Sequence, residues 1–84
     1  MSIKPGKEYA FKEKIFYDDI RNLDFLSKEE LDALKQFVNK DNELVFPVGT
    51  KIVFEDKFGQ HGTINGVSLD FIFEDEDTQL MELF

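Results

Sequence analysis

Val67-Ser68-Leu69-Asp70-Phe71-Ile72-Phe73-Glu74 alternates without a break: Val67, Leu69, Phe71 and Phe73 fall on one side, Ser68, Asp70, Ile72 and Glu74 on the other. A period of two residues is that of a half-buried β-strand, with one row of side chains in a core and the other in water. Working outward, Asn65-Gly66 reads either as a tight hairpin turn or as a bulge bending one long strand. Before it, Gly62 to Val67 continues the β pattern, and Glu55 to Gly62 is a loop rich in glycine and charge. Lys51-Ile52-Val53-Phe54 and Leu44-Val45-Phe46 are earlier short strands, the latter closed by Pro47. On the other side Asp75-Glu76-Asp77-Thr78 makes a turn and Gln79 to Leu83 a last strand. Five short strands at this spacing point to a small, strongly bent barrel or an open sandwich.

The first half has a different character. Ser27 and Glu30 form a capping box, in which the serine hydroxyl accepts from the Glu30 amide and the Glu30 carboxylate from the Ser27 amide. Leu26 and Leu31 occupy the hydrophobic staple positions, and Leu31, Leu34 and Val38 with Phe37 form one stripe, which predicts a helix from about 28 to 39. Asn39-Lys40-Asp41-Asn42 ends it. Upstream, Pro5-Gly6 is a turn signal. Tyr9, Phe11, Ile15 and Tyr17 then alternate like a strand interrupted at Glu13, whereas Phe16, Ile20 and Leu23 recur at helical spacing. The expectation there is a strand near 7–13 running into a short helix near 15–24.

Eighty-four residues predict one domain, 1–84, with a helical part over 1–42 and a β part over 43–84. Ten phenylalanines make a real core possible, because a buried Phe contributes roughly 1.5–3 kcal/mol. With no cysteine there is neither a disulfide framework nor a thiolate metal site, and a cytoplasmic setting is expected. No apolar run of signal-peptide or membrane-spanning length occurs, so no membrane role is expected. Charge is unevenly placed. Residues 1–42 hold eight basic and nine acidic side chains, a net of −1; residues 43–84 hold two and nine, a net of −7. Such a field repels phosphate backbones and anionic lipid and favours a basic protein partner.

Val48-Gly49-Thr50-Lys51-Ile52-Val53-Phe54 followed by Gly59-Gln60-His61-Gly62-Thr63-Ile64-Asn65-Gly66-Val67 resembles the KOW-type pattern of SH3-like small barrels. The glycines are expected to supply positive φ at sharp corners. The resemblance implies an α+β class, an N-terminal strand and helices packed on a small five-stranded SH3-like antiparallel β-barrel. KOW-type domains occur in translation and transcription factors, where the loop between the two strands meets RNA or protein. The resemblance places Lys57, Phe58, Gln60 and His61 on that loop. This stretch departs from the family in having only Lys51 and Lys57 as cations before acidic strands, which favours protein contact over nucleic acid.

No catalytic, cofactor or metal set is recognisable. His61 is the only histidine, and the acidic run Glu74 to Asp77 lacks calcium-loop spacing. The glycines do not match a phosphate loop, and no carboxylate pair stands in an apolar setting. The candidate partner-binding residues are Phe58, Asp70, Ile72, Glu74, Asp75, Glu76 and Asp77: two apolar anchors, one on a loop and one on a strand's outer face, with the acids around them. The expected function is a small acidic interaction module that docks on a larger basic protein, as a monomer or weak homodimer. In style it resembles bacterial or phage-encoded accessory proteins. Its sharper form is an inhibitor that mimics DNA with a row of Asp70, Glu74, Glu76 and Glu55. The alternative is a KOW-like RNA- or ribosome-associated protein using Lys4, Lys7, Lys12, Lys14, Lys51 and Lys57.

Overall fold

A computed structural model describes residues 3–71 and 79–82. The strands are β1 (Glu8–Phe11), β2 (Ile15–Asp19), β3 (Glu43–Phe46), β4 (Lys51–Phe54), β5 (His61–Ile64), β6 (Val67–Asp70) and β7 (Leu80–Glu82). Between β2 and β3 lie a 3-10 turn (Ile20–Asn22), the helix α1 (Lys28–Leu34) and a second 3-10 turn (Lys35–Phe37). All strand pairing is antiparallel: a five-stranded sheet in the order β6-β5-β4-β1-β7, and a two-stranded ribbon of β2 and β3.

The β4–β6 meander follows its local signals. Asn65 and Gly66, at φ 51° and 81°, form the two-residue hairpin turn and pair Ile64 with Val67. Val67 and Leu69 are buried while Ser68 and Asp70 are exposed, as alternation requires. Gly62 differs from expectation. It sits within β5 and is not among the positive-φ glycines; a Cβ there would lie 2.5 Å from Ile52 Cδ1 and 2.9 Å from Ile52 Cγ1. Close approach to β4, not an unusual backbone angle, calls for glycine at this position.

The expected α+β class with a closed SH3-like barrel is overturned. Strands hold 40% of the described residues and helical turns 19%, with α1 the one short α-helix among them, so the chain is mostly β. The five-stranded sheet remains open, with β6 and β7 at opposite edges. Its apolar face is covered by the ribbon instead of by closure upon itself. Phe46 of β3 packs on Phe11 of β1 (ring centroids 6.0 Å) and on Phe71 (6.3 Å), and Tyr17 of β2 packs on Phe71 at 5.5 Å. Tyr9, Phe11, Ile52, Phe54, Ile64, Leu69 and Leu80 complete one core with Leu34 of α1.

The helix expected near 15–24 is also replaced, by β2 and a 3-10 turn. Alternation of Ile15 and Tyr17 prevails over the helical spacing because β3 supplies a pairing partner: Ile15 opposes Phe46 and Phe16 opposes Val45, with an irregularity between Phe16 and Asp18. The break foreseen at Glu13 is the gap between β1 and β2. The Ser27/Glu30 capping box forms as expected, but the helix stops at Leu34. The chain tightens into the second 3-10 turn, and Val38, extended at φ −88° and ψ 125°, bridges to Leu44. The first 42 residues therefore contribute two strands, one of them internal to the main sheet.

Candidate functional site

The surface around Asp70 brings together a structured loop and a groove. The loop, residues 55–60, joins β4 to β5 and is organised by one carboxylate. Asp56 Oδ1 accepts from the backbone amides of Phe58 and Gln60, both at 3.0 Å, and Asp56 Oδ2 accepts from the His61 amide at 3.2 Å. An aspartate capping successive amides of a turn is the local alternative to sheet or helix that this residue favours. The fastening leaves Phe58 pointing outward, 66% exposed, with Lys57 Nζ 5.3 Å from its ring centroid.

His61 stands between two carboxylates. Its Nδ1 is 2.8 Å from Asp56 Oδ2 and its Nε2 is 3.2 Å from Asp70 Oδ1. The second contact follows from register, since His61 and Asp70 are direct cross-strand partners in the β5–β6 hairpin. The hydrogen bond to Asp56 holds the His61 pKa above its ordinary value, and the charges of Asp70, Asp56 and Glu55 act in the same sense. The same bond, with the Gln60 and Phe58 amides, holds Asp56 below the usual carboxylate range. Glu55 Oε1 accepts from the Thr63 hydroxyl at 3.1 Å, which keeps a third acid beside the histidine.

On its other side Asp70 lines a groove of about 560 Å³ along β2, together with Glu13, Lys14, Asp18 and the aromatic rings of Phe16 and Phe25. Phe16 is 59% exposed and Phe25 63%. Phe16 also walls a second groove over the ribbon's outer face, of about 580 Å³, floored by Phe37, Val38 and Val45. Tyr17, on the inward side of β2, has its phenol pKa raised, first by burial and then by the charges of Asp70 and Asp18; the Asp70 backbone amide acts in the opposite sense.

Of the expected partner-binding residues, Phe58 and Asp70 are brought to one corner of the molecule through Asp56 and His61. Ile72, Glu74, Asp75, Glu76 and Asp77 lie outside the described residues. The proposed DNA-like row is represented by Glu55 and Asp70, both acting on His61. Other described acids of the second half lie elsewhere: Glu82 pairs with Lys7 across the β1–β7 edge, and Glu43 accepts from the Asn39 side chain. Among the described residues no three His, Asp or Glu side chains converge on a cation position, and no helix is long and apolar enough to cross a membrane.

Phe16 and Phe25 escaped the reading of the sequence. Phe16 shares helical spacing with Ile20 and Leu23, and the signal that places it outward is its position between Ile15 and Tyr17. The chain matches no family model, no curated protein and no solved structure.

Proposed function

We propose that this chain is an acidic protein-interaction module that docks on a larger, basic protein through the surface around Asp70. The observation that carries the reading is the groove at β2, where the exposed rings of Phe16 and Phe25 stand beside Glu13, Asp18 and Asp70, with Lys14 as the opposing charge. Apolar anchors ringed by carboxylates suit a partner segment that presents an aliphatic or aromatic side chain flanked by Lys or Arg. Exposed rim charges steer such a partner and select its sign more than they add affinity. Phe58, held outward by the Asp56-fastened loop, extends the same surface beyond Asp70. A cysteine-free acidic chain of this kind fits a cytoplasmic adaptor or inhibitor.

The test is capture from a cell lysate by the immobilised protein at low and high salt, with identification of what is retained. The wild type is compared with Phe16→Ser and with the double reversal Asp18→Lys/Asp70→Lys. A basic protein held at low salt, released at high salt and lost from both variants supports the reading. Retention unaffected by the reversal overturns it. Recovery of RNA or ribosomal material that disappears with Lys51→Glu/Lys57→Glu puts the KOW-like alternative in its place.

A further inference from the structure

The ring of His61 touches carboxylates on two separate elements, one through each nitrogen. Asp56 belongs to the β4–β5 loop and Asp70 ends β6, while His61 itself opens β5. A neutral imidazole carries a single N–H, so it can donate to one of these acids while its other nitrogen turns a lone pair toward the second. The imidazolium has two N–H groups and can serve both. The two acids are not equally tied. Asp56 is fixed by three backbone amides whatever the histidine does, whereas the Asp70 side chain is 81% exposed at the end of its strand.

We propose that His61 is a proton-operated clasp: as the imidazolium it ties the β4–β5 loop to the end of β6 through Asp56 and Asp70, and on losing its proton it keeps Asp56 and lets Asp70 go. The charged groups acting on the ring come from every neighbouring element, Glu55 from the end of β4, Asp56 from the loop and Asp70 from β6, and all are acidic. The hydrogen bond to Asp56, together with these charges, moves the opening upward from the ordinary histidine range, so the clasp is closed at and below pH ~6.5 and opens as pH rises through the raised value. Asp56, whose pKa is depressed, stays ionised below the usual carboxylate range, so its end of the clasp persists into acid. Because Asp70 also lines the groove at β2, opening returns a full carboxylate to that surface. This last consequence rests on the docking role proposed above; the clasp itself does not.

His61 is the only histidine in the chain, so NMR reads it without ambiguity. The expected result for the free protein is a His61 ring titration centred above pH ~6.5, with the Asp70 carboxyl carbon showing a step at the same midpoint. Asp70→Asn should lower the His61 midpoint, and Asp56→Asn should lower it further. His61→Gln should abolish the step at Asp70, while the amides of Phe58 and Gln60 stay protected through it because Asp56 holds them independently. No step at the Asp70 carboxyl, or the same His61 midpoint in the wild type and in Asp70→Asn, overturns the clasp. If the NMR result holds and no basic partner is captured, it is the docking role that fails.

Discussion

The β4–β6 meander and the β2–β3 ribbon use strands of similar length but hold them by different means. In the meander each strand follows its neighbour through a short connection, residues 55–60 and residues 65–66, so turn chemistry sets the register. In the ribbon the two strands meet across residues 20–42, and what keeps them in place is the core beneath them. Phe46 is the centre of that attachment, with ring contacts to Phe11, Tyr17, Phe37 and Phe71. Locally encoded pairing tolerates imperfect packing, whereas pairing between distant segments depends on it.

The largest expected effect is at that centre. Phe46→Ala should lower the unfolding free energy in a urea titration by about 3–5 kcal/mol, a large share of what so small a chain can hold. A smaller loss than that of Phe54→Ala, in the meander, would break the contrast. Next is Gly62→Ala. Its added methyl presses on Ile52, which is 1% exposed and has little room to move, for a loss of about 1–3 kcal/mol. Ser27→Ala removes the hydroxyl that caps α1 within the long connection and should cost about 1 kcal/mol by the same measurement.

The smallest effect is expected in acid. Asp19 caps the 3-10 turn after β2, and its bonds from Arg21 bring its pKa down to about 2. A depressed carboxylate stabilises the fold above its ordinary pKa of ~3.9, and that contribution is lost as pH falls toward the folded value. Asp19→Asn should therefore flatten the acid limb of a plot of urea midpoint against pH.

The same contrast explains what could be read in advance. The strands between Glu43 and Asp70 and the Ser27 capping box are local features, and residues a few positions apart sufficed to find them; the end of α1 at Leu34, ahead of the expected stop at Asn39 to Asn42, was not among them. The exposed Phe58 and its loop were found in the same way. The fate of Ile15 to Asp19 depended on β3, a partner more than twenty residues away, so the competing periods in that segment had no local arbiter. Because Phe16 fits the helical spacing of Ile20 and Leu23 as well as a strand, the groove it shares with Asp70 has no signature in the sequence. The role of Gly62 was hidden for a related reason, since the crowding comes from Ile52 on the neighbouring strand. His61 and Asp70 were both noticed, but only the hairpin register sets them opposite one another.

The placement of β1 bears on how the molecule comes into being. Its Tyr9 lies opposite Ile52 on one flank and Glu82 on the other, so this early segment has no sheet neighbour until much later residues exist. At a ribosomal pace of about 5–20 residues per second, Glu8 to Phe11 waits on the order of ten seconds for its second flank to emerge. Through that interval the segment keeps one edge without a strand partner, and high contact order of this kind makes folding slow compared with that of a helical bundle of equal size.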